Sequence, residues 1–215
     1  MNTKYTIAYE YHNSLYLNIT NRCPNLCVFC IKNKWNMDYR GYNLKLLKEP
    51  SVEDIKVDVE KNFLNKKYDE IVFCGYGEPT MRWDTAKEFI MAVRSGSVKS
   101  VPPKIRIRIN TNGLGNLINK RDITLEMKGL VDALHISLNT RSREQWVKLM
   151  QPFNDYRDNG FDSVIDFIKR AKGSVKEVIV TAVELEEVDI KAVENLANSL
   201  GVGFRRRPLL DYEEA

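Results

Sequence analysis

Apolar and polar residues alternate one for one through several short stretches of this 215-residue chain, and segments of helical spacing separate them. In Leu15–Thr20, the residues Leu15, Leu17 and Ile19 oppose Tyr16, Asn18 and Thr20. In Lys104–Asn110, Ile105, Ile107 and Ile109 oppose Arg106, Arg108 and Asn110. In Ala133–Asn139, Leu134, Ile136 and Leu138 oppose His135, Ser137 and Asn139. A period of two sends each set to one face of a strand. Further strands are expected at Glu70–Gly75, Glu177–Val183 and Gly203–Pro208, and Tyr5–Tyr11 pairs with Leu15–Thr20 as a hairpin turning at His12-Asn13-Ser14. Ser51 reads as a helix cap with Asp54 as its capping-box partner, followed by Val52, Ile55, Val59 and Phe63 at helical spacing. Other helices are expected near Thr85–Arg94, Asn116–Met127, Ser163–Ala171 and Ile190–Ser199, while residues 31–50 read as irregular.

Strands that alternate with helices argue for parallel βα units. The expected fold class is α/β: a partial (β/α)6 TIM-like barrel with an N-terminal β-hairpin. Residues 1–215 show no repeat or linker and read as a single domain. If the apolar strand faces meet the helices, the other faces line the barrel interior. Filled barrels place Val, Ile and Leu there; this one would carry Arg106, Arg108 and His135. That points to a lumen for an anionic or strongly hydrogen-bonding substrate. The alternative is that internal acids pair with the arginines as supports. At least one of Arg205, Arg206 and Arg207 can point inward, with a solvated edge strand as the competing account.

Composition narrows the classes. Hydrophobic residues make up 43% and charged residues 29%, ordinary for a soluble globular protein. The net charge of +4 is spread along the chain, so nucleic acid is not indicated. No apolar run is long enough for a membrane span, and Met1-Asn2-Thr3-Lys4 lacks a signal-peptide core, so a cytoplasmic protein is expected.

Three of the four cysteines fall within eight residues, Cys23-Pro24-Asn25-Leu26-Cys27-Val28-Phe29-Cys30. Clustered cysteines in a reducing compartment point to metal. Three thiolates leave one iron of a four-iron, four-sulfur cluster open to a small molecule. Structural zinc, with Cys74 as a candidate fourth ligand, is the competing reading. Cys74, in the run Ile71-Val72-Phe73-Cys74, otherwise reads as a small buried hydrophobe. The next strand ends in Gly75-Tyr76-Gly77-Glu78-Pro79-Thr80, where glycine lets the backbone approach a ligand and proline stiffens the turn. Asn110-Thr111-Asn112-Gly113 and His135-Ile136-Ser137-Leu138-Asn139 close the two strands after it with short neutral hydrogen bonders.

The C-x3-C-x2-C spacing, with an aromatic before the last Cys, resembles the signature of the radical SAM enzymes. Cys74–Thr80 resembles their Gly-Gly-Glu-Pro segment, with Tyr76 in place of the first glycine of the pair. Leu17–Cys23 and Cys74–Thr80 are most similar to the small TatD-linked radical SAM proteins, which bring no established substrate. The resemblance implies one [4Fe–4S] cluster on Cys23, Cys27 and Cys30, with S-adenosylmethionine (SAM) on its open iron. One electron then splits the sulfonium into methionine and a 5′-deoxyadenosyl radical. It implies SAM contacts from Gly75, Tyr76, Gly77 and Glu78 at the ammonium, Phe29 and Val183 beside adenine, and Asn110, Asn112, Ser137 and Asn139 at the ribose and carboxylate. It further implies an enzyme that takes hydrogen from an unidentified small molecule, peptide or protein, with an electron donor such as flavodoxin or ferredoxin. The alternative is a non-enzymatic zinc- or iron–sulfur-binding module that recognises protein or nucleic acid.

Overall fold

The structure, a computed structural model, describes residues 5–210. Its strands are β1 Ala8–Tyr11, β2 Ser14–Leu17, β3 Asp38–Tyr39, β4 Tyr42–Asn43, β5 Glu70–Phe73, β6 Arg106–Thr111, β7 Ala133–Ser137, β8 Glu177–Val183 and β9 Gly203–Arg207. Its helices are α1 Ile31–Lys34, α2 Val52–Asn65, α3 Trp83–Arg94, α4 Gly115–Asn119, α5 Arg143–Met150, α6 Asn154–Arg157, α7 Gly160–Ala171 and α8 Ile190–Leu200.

Seven strands form one sheet in the order β1-β2-β5-β6-β7-β8-β9. The hairpin β1–β2 is antiparallel, and every other pairing in that sheet is parallel. Six parallel strands preceded by a hairpin partner make the expected partial barrel, with β1 and β9 as the sheet's two edges.

Alternation decides which face is wet. Leu15, Leu17, Ile71, Phe73, Ile107, Ile109, Leu134, Ile136, Val178 and Val180 join the helices in one apolar core. The ladders set Glu70 beside Arg106, Asn110 beside His135, and Thr181 beside both Ser137 and Arg205, so these residues share the lumen face. Helix α2 begins as its sequence dictates. The Ser51 hydroxyl accepts from the Asp54 N–H while the Asp54 carboxylate accepts from the Ser51 N–H.

Two sequence expectations are corrected, and one helix appears where none was expected. The helix expected over Asn116–Met127 stops at Asn119, Lys120 is left-handed (φ 52°), and Leu125–Met127 forms a separate 3-10 turn. Side chains compete with the helical ladder there: Asn116 Oδ1 accepts from the Ile123 N–H, and the Asp122 carboxylate accepts from the N–H and hydroxyl of Thr124. Residues 31–50 are not wholly irregular, since they hold α1 and the β3–β4 hairpin. Finally, α5 follows β7 unannounced. Ser142 caps it by accepting from the Gln145 N–H, and Trp146, Leu149 and Met150 bury its inner face.

The β3–β4 hairpin packs against the lumen face of β1 and β2. Tyr9, Tyr76 and Leu44 are buried together, with Tyr16, Tyr39 and Tyr42 against them. The Tyr9 ring lies 5.4 to 5.7 Å from those of Tyr16, Tyr39 and Tyr42.

Candidate functional site

The cysteine loop leaves the barrel after β2 and is gripped from two sides. From one side, the Leu26 and Val28 N–H groups donate to the carbonyls of Gln151 and Leu149, and the Phe153 N–H donates to the carbonyl of Pro24. The grip is thus the C-terminal end of α5, more than a hundred residues away in sequence. From the other side, the turn after β5 closes on the loop, and the Glu78 N–H donates to the Arg22 carbonyl at 2.8 Å. Glycine is required in that turn because the two segments touch backbone to backbone. A Cβ on Gly77 would lie 2.3 Å from the Thr20 oxygen, and one on Gly75 would lie 2.4 Å from Asn18 Oδ1.

Cys23, Cys27 and Cys30 feel one another. Burial pushes the Cys27 thiol up, and the neighbouring charges of Cys23 and Cys30 push it further. Burial and Glu78 push Cys23 up to about 12. These thiols need a strong cation nearby to ionise, which a metal supplies. Among the described residues no three His, Cys, Asp or Glu side chains converge on a single-ion position. The Glu78 carboxylate is already spent on other partners. Cys74 lies just after β5, the strand beside β2, rather than in the loop. Three neighbouring thiols on one loop, with no fourth donor among the described residues, match a cluster with one open corner.

Cys74 corrects another expectation. It is absent from the apolar core and lies on the lumen face with Glu70 and Val72. Burial raises its pKa, and a hydrogen bond from Asn110 works against that rise.

The turn after β5 faces both ways. The Tyr76 side chain turns outward from the turn and donates to the Asp38 carbonyl, anchoring the β3–β4 hairpin. Gly75, Tyr76 and Gly77 offer no backbone group to any hydrogen bond among the described residues. Glu78 points inward and is 3% exposed. Its carboxylate accepts from the Thr80 N–H and hydroxyl, the Thr111 hydroxyl at 2.7 Å and the Asn112 N–H at 2.7 Å. Burial raises its pKa against the pull of those donors. Glu78 therefore ties the β5 turn to the β6 end, and Asn112 Nδ2 is left buried with no partner.

The remaining candidates divide. Asn110 and Ser137 sit on the lumen face, half-buried. Phe29 packs against the edge of the core beside Cys27. Asn139 is fully buried with φ 64°; its Oδ1 accepts from the Val183 N–H and its Nδ2 reaches the Met150 sulfur, so it joins the ends of β7 and β8. Val183 is buried beside it.

Arg106, Arg108 and His135 do face the lumen, and internal acids meet the two arginines there. Arg108 Nη2 and Nε reach Glu70 at 2.6 and 3.1 Å, Nη1 donates to Asn110 Oδ1 at 2.7 Å, and Nη2 donates to the Tyr16 hydroxyl at 3.2 Å. Arg106 reaches Glu177 at 2.5 Å and Glu70 at 3.4 Å. Burial opposes the Glu70 charge, yet Arg108 outweighs it and the carboxyl stays below its usual range. Burial, with the arginine charges behind it, drives His135 down to about 4, so its ring is neutral near pH 7.

Sequence reasoning passed over the supports of the loop. Asn18, fully buried, donates to the carbonyls of Thr6 and Leu44, and Asn21 Oδ1 accepts from the Leu46 N–H. Arg22 forms a forked pair with Glu49 at 2.7 and 3.0 Å. Asn18, Asn21 and Arg22 fall in the Leu17–Cys23 segment that carried the resemblance, but nothing in the sequence gave them this role. Among the described residues no helix is long and apolar enough to cross a membrane.

Comparison with known proteins agrees with this geometry. The Radical SAM superfamily model matches residues 17–200. A protein of Chlorobium phaeobacteroides described as a probable dual-specificity RNA methyltransferase RlmN is 30% identical over 127 residues, covering 57% of this chain and 32% of that protein. A radical SAM methyltransferase from Sphaerobacter thermophilus superposes with a TM-score of 0.64 at 17% identity, covering 94% of this chain and 57% of the other. Methylornithine synthase (PylB) gives 0.56 at 17% identity over 92% of this chain and 53% of its own. The chain spans about a third of the matched curated relative and little more than half of these structures.

Proposed function

The chain belongs to the radical SAM superfamily, and from that premise we propose that it is an enzyme using one [4Fe–4S] cluster and SAM to abstract hydrogen from a substrate. A cluster held by Cys23, Cys27 and Cys30 and reduced by an external one-electron donor would supply the electron for reductive cleavage of SAM bound beside it. The chain's own work is to hold, orient and shield. Cys23, Cys27 and Cys30 hold the cluster. Gly75, Tyr76 and Gly77 present unspent backbone groups to the SAM ammonium, and Glu78 fixes their turn from behind. Asn110, Asn112 and Ser137 supply hydrogen bonds to ribose and carboxylate. Phe29 and Val183 flank the adenine, and Asn139 sets the strand ends against which it rests. A one-electron carrier of the flavodoxin or ferredoxin class is the partner this chemistry asks for. The matched methyltransferase makes RNA one substrate worth assaying.

One observation carries the reading: a loop of three neighbouring thiols, with no fourth donor from the described chain, packed against a turn whose backbone hydrogen bonds are unspent. Reconstitution with iron and sulfide without air tests it. A reduced-cluster EPR signal that SAM perturbs, with 5′-deoxyadenosine formed, is expected. Stoichiometric zinc with no visible absorption would instead establish the binding-module alternative.

A further inference from the structure

Counting charges on the lumen face singles out β9. Among the described strand residues, four guanidinium groups share that face, Arg106, Arg108, Arg205 and Arg207, against two carboxylates, Glu70 and Glu177. Both carboxylates are committed to Arg106 and Arg108. Arg205 and Arg207 make no ion pair among the described residues, whereas Arg206, on the opposite face, reaches Glu184 at 3.5 Å. The ladder aligns Arg205 with Thr181 and Arg207 with Val183, the lumen-facing positions of β8. Their fields agree with that placement, since Arg205 acts on His135 and Arg207 on Cys74, both residues of the interior face.

We infer that Arg205 and Arg207 bind an oxyanion of the substrate, a phosphate or a carboxylate, at the mouth of the barrel. The inference rests on the enzymatic reading above and adds the chemical class of its substrate. Two positions along a strand are about 7 Å apart, close enough for two long side chains to converge on one anion. Guanidinium forks match the planar or tetrahedral oxygens of such groups. Thr181 stands beside Arg205 on the neighbouring strand as a neutral hydrogen bonder, and a neutral His135 adds no competing charge. Guarding the sheet edge against pairing with another chain needs only outward charge, which Arg206 provides.

The test uses the reconstituted holoprotein without air and three probes: AMP for phosphate, succinate for carboxylate, and adenosine as the uncharged control. Binding is read by ligand-observed NMR and calorimetry, with SAM affinity measured alongside. Wild type is expected to bind AMP or succinate at least ten times more tightly than adenosine. R205Q/R207Q should lose that preference, R205K/R207K should keep part of it, and R206Q should retain it, all with SAM affinity unchanged. Wild type that binds neither anion, or R205Q/R207Q that binds them normally, overturns the inference. A parallel loss of SAM affinity also overturns it, because the arginines would then serve the SAM carboxylate. Arginine-dependent binding of anions in a protein that never cleaves SAM would sink the enzymatic reading and reduce this inference to an anion-binding site without a substrate.

Discussion

The floor and the mouth of the lumen are built from the same residue types and treat charge in opposite ways. At the floor, near the starts of β5, β6 and β8, every charge has its counter-charge: Glu70 and Glu177 neutralise Arg106 and Arg108, and the Arg108 side chain is 9% exposed. At the mouth, Glu78 is buried with its charge carried by hydrogen-bond donors, while Arg205 and Arg207 are exposed and make no ion pair among the described residues. Charges met by opposite charges support the floor, Glu78 braces the turn through its donors, and the two arginines are the groups that the inference above leaves for a ligand. The difference separates what holds the barrel open from what makes it useful.

The sharpest way to break the comparison is Glu70→Ala. Leaving Arg108 buried without its acid should lower stability by about 3–5 kcal/mol in urea unfolding. The pair Glu70→Leu with Arg108→Met should recover most of that loss. If the single change is silent, the floor is not a support.

Glu78→Gln comes next. The amide keeps the size but turns donors toward donors at Asn112 and Thr111, so a loss of about 2 kcal/mol is expected. SAM affinity measured by calorimetry should weaken with it, because the glycine turn loses its brace.

His135 sharpens the contrast through pH. Its folded pKa of about 4 lies below the ordinary value of 6.5, so between those pH values the unfolded chain binds the extra proton. Stability should therefore be full above pH 6.5 and fall on the order of 2 kcal/mol as pH drops toward 4. His135→Gln should flatten that slope in thermal melts taken across the window.

The smallest effect belongs to the mouth. R205Q/R207Q should move Tm by less than about 2 °C, since exposed residues without partners carry little stability. A drop as large as that of Glu70→Ala would erase the distinction between the two ends.

The strands were readable because a period of two reports burial directly: β2, β6 and β7 lie where Leu17, Ile107 and Ile136 alternate with polar neighbours. The cysteine loop and the Gly75–Gly77 turn were readable because few chemistries need those residues so close together. Cys74 was misread for a related reason. Ile71-Val72-Phe73-Cys74 is apolar throughout, so its alternation is masked, and Val72 and Cys74 turn inward unseen. Long-range partners were not legible at all. Nothing near Arg108 names Glu70, and nothing near Tyr39 or Tyr42 says that they fold over Tyr9 and Tyr16. Helix α5 escaped because its eight residues carry only three buried positions, too few to stand out from their polar flanks.

The grip of residues 149–153 on the cysteine loop has a consequence for biosynthesis. A growing chain exposes all three thiols long before the segment that shapes their loop has been made. Metal acquired that early would meet a floppy tether of sulfur rather than a mould, so productive loading of such a loop would follow the docking of α5.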